Sequence, residues 1–274
     1  MTDTPAYRDP ALPIGERIED LLGRMTVEEK AGQLTQYFYF GGMGQLPADF
    51  DIESLPPEHR AFAMQPRMVE AAVASGGAGS VLFIKDPTTA NRMQRLAVEQ
   101  TRLGIPLVFG FDVIHGLRTI FPVPIAQAAS WDPALAEGAQ RIAAREARAA
   151  GIQWTFAPMV DIARDPRWGR IIEGAGEDPV LGAAFAAAQV RGFQGDGGSE
   201  SILAGPKHFL GYGAARGGRD YDDVELSESE IRNVYLPPFA AAIEAGAANI
   251  MTAYMELGGV PATGNEWLLT DLLR

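Results

Sequence analysis

Asp112, Lys207, His208 and a run of arginines are the residues of this chain best suited to chemistry. Lys207-His208-Phe209 follows the apolar stretch Leu203-Ala-Gly-Pro206 and leads into Gly211-Tyr-Gly213. A cation, an imidazole and an aromatic ring thus stand side by side where a buried strand opens into a loop. Similar ends recur. Phe111-Asp112 precedes His115 and Arg118. Pro158-Met-Val-Asp161 precedes Arg164-Asp-Pro-Arg167-Trp-Gly-Arg170, then Glu173 and Glu177-Asp178. Thr252-Ala-Tyr254 closes another apolar segment. A short carboxylate and long cations around one mouth suit a ligand dense in hydroxyls. The carboxylate accepts from neighbouring hydroxyls and the cations donate to others, and charge-assisted bonds are the stronger kind. Trp168 or Phe111 offers a ring for an apolar face.

Taken singly, each residue also has a plainer reading. Asp112 can pair with Arg118. The charges from Arg164 to Asp178 read as a structural ion-pair network. Trp168 reads as packing, His115 as a satisfied loop histidine, and Lys207 as a solvated strand end. The recurrence after strands is what points to a site, because in barrel enzymes the loops after the strands carry the chemistry.

The elements that position these residues follow from periodicity. Apolar spacing predicts a helix over 14–25, and Thr26-Val-Glu-Glu29 matches a capping box that starts a second. Residues 33–40 read as a first strand and 41–62 as a long loop. Predicted helices over 64–74, 88–103, 133–150 and 179–194 are followed by strands over 79–84, 105–110, 152–157 and 202–206. A helix over 228–245, which Pro237-Pro238 inside it should kink or break, precedes a strand over 248–253, and a last helix covers 265–273. Alternating strands and helices imply right-handed βαβ units and a parallel sheet. About six units are readable by this periodicity. A closed (β/α)8 barrel has eight, so the pattern fits an open α/β sheet or a barrel cut short. No linker interrupts the chain, and residues 1–274 read as a single domain.

Composition narrows the class. The chain has 274 residues, 47% hydrophobic and 21% charged, with a formal net charge of -12. That is a globular protein with a core and no basic face, so nucleic acid is an unexpected partner. There are no cysteines and three histidines, His59, His115 and His208, so no thiolate or histidine-rich metal centre is expected. No cofactor is implied. No secretory signal is readable at the N-terminus, and no apolar run suits a membrane span. The default expectation is a cytoplasmic protein, or a periplasmic one if a signal was removed.

Three stretches together are more specific. Asp112-Val-Ile-His-Gly-Leu-Arg118 with Phe121-Pro122, Asp165-Pro-Arg-Trp-Gly-Arg170 with Glu173-Gly and Gly176-Glu-Asp178, and Lys207-His-Phe209 resemble glycoside hydrolase family 3. The resemblance runs in order from about Ile18 to Arg274 and is nearest to the bacterial periplasmic β-glucosidases. It implies a (β/α)8, TIM-like barrel truncated after about six units, to which a second α/β-sandwich domain is added. It implies a retaining β-glucosidase, in which an Asp attacks the anomeric carbon and a Glu protonates the leaving oxygen. The substrate would be a β-glucoside or cello-oligosaccharide. Asp112, Arg118, Arg170, Lys207, His208 and Tyr254 would line the subsite for the terminal sugar, with Arg167 the alternative to Arg170. Asp112 would take the hydroxyls farthest from the anomeric centre, and Lys207 and His208 those at mid-ring.

The departures carry expectations too. The family's nucleophile lies in a Trp-Gly-Phe…Ser-Asp motif, roughly a dozen residues past Arg274 on typical loop lengths. Its acid Glu belongs to the second domain. No catalytic residue is therefore expected in this chain, which alone is expected to be inactive and to need the remainder of the barrel and the second domain. One branch of the family cleaves N-acetylglucosamine with a loop histidine. Here Tyr212 holds the glycine-flanked place and no histidine follows His208, which favours β-glucosidase, with β-xylosidase the alternative. A non-catalytic or partner-completed sugar-binding module is the reading from another class. Met255 follows Tyr254 where the family often has Asn.

Overall fold

The computed structural model describes residues 4–41 and 50–274. They form two compact units divided between Phe109 and Gly110.

In the first unit, α1 (Ile14–Arg24) is followed by α2 (Val27–Gln33). The predicted capping box is present: Thr26 Oγ1 accepts from the Glu29 amide at 3.2 Å, and Glu29 Oε2 accepts from the Thr26 amide at 2.9 Å. Strand β1 (Gln36–Phe38) pairs in parallel with β2 (Ser80–Leu82). Between them α3 spans Pro57–Ala74, entering well before the predicted 64. Pro56-Pro57 suggested a loop, but proline at the first helical position has its φ already set and loses no hydrogen bond. Residues 42–49 of the predicted loop lie outside the described residues. Helix α4 (Pro87–Gln100) closes the unit over a core of Tyr39, Val73, Val81, Met93 and Phe109.

Strand β3 (Val108–Phe111) spans the division. In the second unit its Gly110 and Phe111 pair with Trp154 and Thr155 of β4, which pair in parallel with Leu203 and Ala204 of β5. Within each unit sheet order follows sequence order, β1-β2 in the first and β3-β4-β5 in the second. The fold is α/β, and among the described residues the sheet does not close into a barrel. The predicted strand over 248–253 contracts to one parallel bridge, Phe209 to Thr252. Helices α5 (Pro124–Ala128), α6 (Pro133–Ala149) and α7 (Pro179–Gln194) follow β3 and β4. One device starts α4, α6 and α7: an Asp-Pro pair. Asp86, Asp132 and Asp178 each accept from amides of the first turn, and the next residue is a proline. Asp178 is thus a helix cap and not part of an ion-pair network.

Pro237-Pro238 alters the predicted long helix without ending it, and the backbone stays helical from Glu228 to Glu244. Ser227 caps the short α8 (Glu228–Glu230), a π-helical turn covers Ile231–Tyr235, and α9 (Leu236–Glu244) begins at the prolines. The prolines have no amide to give the carbonyls of Asn233 and Val234, and the π-helical turn falls there. A hairpin of β6 (Glu256–Leu257) and β7 (Val260–Pro261) was not anticipated. Gly258 and Gly259, at φ of 59° and 75°, supply its turn. The buried core includes Trp168, Phe193, Phe209, Leu210, Tyr212, Phe239 and Leu268. No helix among the described residues is long and apolar enough to cross a membrane.

Candidate functional site

The site lies in the second unit. Asp112 follows β3 directly, and the next amide, of Val113, is held by Thr155 Oγ1 at 3.1 Å. Lys207 continues the line of β5. Its amide donates to the Pro158 carbonyl at 3.0 Å and its carbonyl accepts from Val160 at 2.8 Å. The peptide bonds Lys207–His208 and Phe209–Leu210 are cis. Backbone pairing therefore sets where Asp112 and Lys207 begin, and their side chains meet: Lys207 Nζ donates to Asp112 Oδ1 at 2.6 Å. The two ends differ in solvation, with the Lys207 side chain 6% exposed and that of Asp112 43%. A buried ammonium is thus neutralised by a carboxylate that is itself partly exposed.

His208 is buried beside them. Asp161 Oδ2 accepts from its amide at 3.0 Å and contacts its Nδ1 at 2.8 Å. The second oxygen of Asp161 is buried without a partner. His208 Nε2 lies 3.4 Å from Arg170 Nη1. A carboxylate oxygen accepts and a guanidinium only donates, so the proton belongs on Nδ1 and the lone pair on Nε2.

Arg170 is held by a fork. Its Nε and Nη2 donate to Glu173 Oε1 and Oε2 at 2.6 and 2.8 Å, and its Nη1 donates to the Tyr254 hydroxyl at 2.9 Å. Burial works against its charge, but the Glu173 hydrogen bonds outweigh that and raise its pKa. Burial likewise pushes Glu173 up, and the hydrogen bonds from Arg170 bring it below its ordinary range. Both members stay charged, as a bidentate pair in a half-buried setting should.

Tyrosines complete the cluster. The Tyr254 hydroxyl donates to that of Tyr212 at 3.0 Å, and Tyr212 donates to Asp220 Oδ1. Trp168 Nε1 donates to the same oxygen at 2.9 Å. Burial, then the bond to Asp220, raises the Tyr212 pKa, and burial raises that of Tyr254. Both phenols remain donors. The His208 and Tyr212 rings meet edge-on at 5.0 Å.

Five of the six expected ligand-lining residues, Asp112, Arg170, Lys207, His208 and Tyr254, are thus brought into two linked groups. Arg118 is exposed, and its amide, at 2.8 Å from Glu146 Oε2, is its described hydrogen bond. The Asp112–Arg118 pairing gives way to Asp112–Lys207, because Lys207 is the buried cation that must be neutralised. Arg167 is paired with Asp165 on the exposed side of its loop. Lys207 is buried, not a solvated strand end. Trp168 is buried packing and not an open platform. His115 is the satisfied loop histidine expected, with Nδ1 at 2.8 Å from the Phe121 carbonyl. Sequence reasoning did not assign Asp161 to His208 and missed Asp220. The only signal for Asp161 was its place after a strand, and Asp220 sits in the mixed-charge run Arg219-Asp-Tyr-Asp222 without any. Met255 is buried. Among the described residues no group of three acidic or histidine side chains is arranged to hold a metal.

Comparison with known proteins gives the same direction. The model of the glycosyl hydrolase family 3 N terminal domain matches residues 26–274. A periplasmic beta-glucosidase of Salmonella typhimurium is 36% identical over 273 residues, covering 99% of this chain and 32% of its own length. A beta-xylosidase of Formosa agariphila is 38% identical over 197 residues, covering 66% of this chain and 27% of its own. The solved beta-glucosidase of Listeria innocua superposes with a TM-score of 0.83 at 39% identity, over 94% of this chain and 35% of that one. The chain spans about a third of the length of these relatives. With the family motifs gathered at the strand ends of an α/β sheet, the chain belongs to glycosyl hydrolase family 3, as its N-terminal domain.

Proposed function

We propose that this domain holds the terminal glucose of a β-glucoside in a retaining β-glucosidase. The observation that carries the reading is the Asp112–Lys207 pair: a buried ammonium at 2.6 Å from a half-exposed carboxylate. Such a pair offers a sugar both an acceptor and spare donors on adjacent atoms. Asp112 accepts from two neighbouring hydroxyls, and Lys207 donates to one. The Arg170–Tyr254 edge is left for the remaining hydroxyls, the lone pair on His208 Nε2 becomes an acceptor for one of them when it replaces the 3.4 Å contact with Arg170, and Arg118 contributes only by moving inward. Each charge-assisted bond contributes about 1.5–3 kcal/mol, and those that tighten in the transition state raise the rate.

The carboxylates described here serve other ends. Asp161 is engaged by His208, and Glu173 is fixed by Arg170. Glu173 is also held at a lowered pKa, which makes it a poor proton donor. The nucleophile and acid, about 5–5.5 Å apart in a retaining enzyme, are proposed to come from outside this cluster, with the second domain a required partner. The Formosa relative is named a beta-xylosidase, so β-xyloside is the second substrate to test. The name of the Salmonella relative favours a periplasmic setting over a cytoplasmic one, which cell fractionation decides. Isothermal titration with glucose and isofagomine tests the sugar site. Saturable binding of both supports it, and heat from neither refutes it.

A further inference from the structure

Tyr221 is an exposed tyrosine in a backbone conformation that tyrosine disfavours. Its φ is 64° and its relative exposure 70%. A bulky residue in the left-handed region is strained and persists only where its surroundings fix it. Here they do. On one side Asp220 is held by Trp168 Nε1 and the Tyr212 hydroxyl. On the other, Arg219 pairs with Asp222 at 3.1 Å and Arg216 with Asp223 at 3.3 Å.

The framework aims the ring at the site. Tyr221 lies 5.2 Å from the Tyr254 ring, at 30° to it. Tyr254 in turn lies 5.5 Å from His208. The three rings form a row that emerges from the interior: His208 is 2% exposed, Tyr254 45% and Tyr221 70%. A sugar held by Lys207, Asp112 and His208 occupies the inner end of that row. A group bonded to that sugar and running out toward solvent would pass the outer end. There Tyr221 rests on Tyr254, the Tyr212 ring lies 6.5 Å away at 57°, and most of the residue is open to solvent. An exposed ring on a strained backbone adds little to folding, whereas a flat apolar face suits a second ring.

We propose that Tyr221 is the platform for a ring-shaped aglycone, aryl or pyranose, on the substrate whose terminal sugar the inner cluster holds. The inference rests on the glucose-binding reading above and adds to it the class of leaving group.

The test is calorimetric titration of the chain with methyl β-glucoside, phenyl β-glucoside and cellobiose. Three proteins are compared: wild type, Tyr221→Asn, which tolerates the positive φ, and Tyr221→Phe, which keeps the ring. Wild type should bind at least one ring-bearing glucoside about two- to tenfold tighter than the methyl glucoside, the range for one aromatic contact. Tyr221→Asn should lose that preference with methyl glucoside affinity unchanged, and Tyr221→Phe should keep it. Loss in the phenyl arm marks an aryl aglycone, and loss in the cellobiose arm a second pyranose. A preference that survives in Tyr221→Asn, or equal weakening toward all three ligands, overturns the proposal. So does a wild type that binds all three alike, although the glucose reading then stands. A wild type that binds none removes the glucose reading, and this inference with it.

Discussion

Asp161 Oδ2 serves His208 twice, accepting from its backbone amide at 3.0 Å and from its Nδ1 at 2.8 Å. One buried oxygen thereby fixes both where the imidazole sits and which nitrogen carries the proton. The residue expected to touch ligand is His208, and the residue that orients it is Asp161. With three histidines in the chain, long-range 15N–1H correlation can resolve each ring. His208 should show a protonated Nδ1 and a bare Nε2. Asp161→Asn replaces a charged acceptor by a neutral one and puts an amide where Oδ1 has no partner. It should cost about 1.5–3 kcal/mol in urea unfolding. A proton on Nε2 alone in wild type, or an Asn variant of unchanged stability, would contradict this account.

Asp112→Ala and Lys207→Ala should differ in kind. Removing Asp112 leaves the buried Lys207 ammonium without its partner, so stability and sugar affinity should both fall. Removing Lys207 leaves a half-exposed carboxylate that water can solvate, so affinity should fall with a smaller stability loss. Each should weaken glucose binding by roughly ten- to a hundredfold, from about 1.5–3 kcal/mol per charged bond. Paired urea melts and titrations check both halves. Wild-type affinity in either variant would remove that residue from the site.

The Arg170–Glu173 pair predicts a pH signature. Burial would raise the Glu173 carboxyl from its ordinary 4.5, but the Arg170 hydrogen bonds hold it lower in the folded chain. The folded state therefore binds fewer protons than the unfolded one in that range. The stabilisation is complete above about pH 4.5 and is lost as pH falls through the lower folded value. Glu173→Gln should lose roughly 1–3 kcal/mol near neutral pH and show a flatter acid limb. Urea midpoints from about pH 6 to about pH 3 measure it. Parallel acid limbs for the two proteins would exclude this role for Glu173.

On the proposed reading, selectivity between sugars rests on the absence of a histidine after His208, where the chain has Tyr212. That tyrosine is buried and bonded to Asp220, at the position where the N-acetylglucosamine-cleaving branch has its loop histidine nearby. An enzyme carrying this domain should release p-nitrophenol from the β-glucoside far faster than from the N-acetyl-β-glucosaminide. The opposite preference would reverse the branch assignment.

Periodicity found the helices because their apolar faces repeat over several turns, and α7 spans the predicted 179–194. It made every strand too long, although β3 also runs one residue past its predicted end, to Phe111. Residues 152–157 gave the two-residue β4, since an apolar run marks burial, and burial continues past the last ladder bond. The β6–β7 hairpin was hidden because two-residue strands have no readable alternation, although Gly258-Gly259 is a turn signal. At the site, motif residues were legible by type and place. Their partners were not. Lys207 and Asp112 lie 95 residues apart, and no local pattern says that Lys207 chooses Asp112 over Arg118's competing claim. The approach of the loop at Gly213 to Ile162 was equally silent, although a Cβ there would fall 2.2 Å from the Ile162 carbonyl oxygen.

The central claim is that Lys207, Asp112 and His208 hold one sugar. Glucose titration followed by the His208 imidazole resonances tests it most directly. Saturable shifts are expected at His208, with His59 and His115 unmoved, and those shifts should be lost in Asp112→Ala. Glucose that leaves His208 unmoved at saturation, or shifts all three histidines alike, would contradict it.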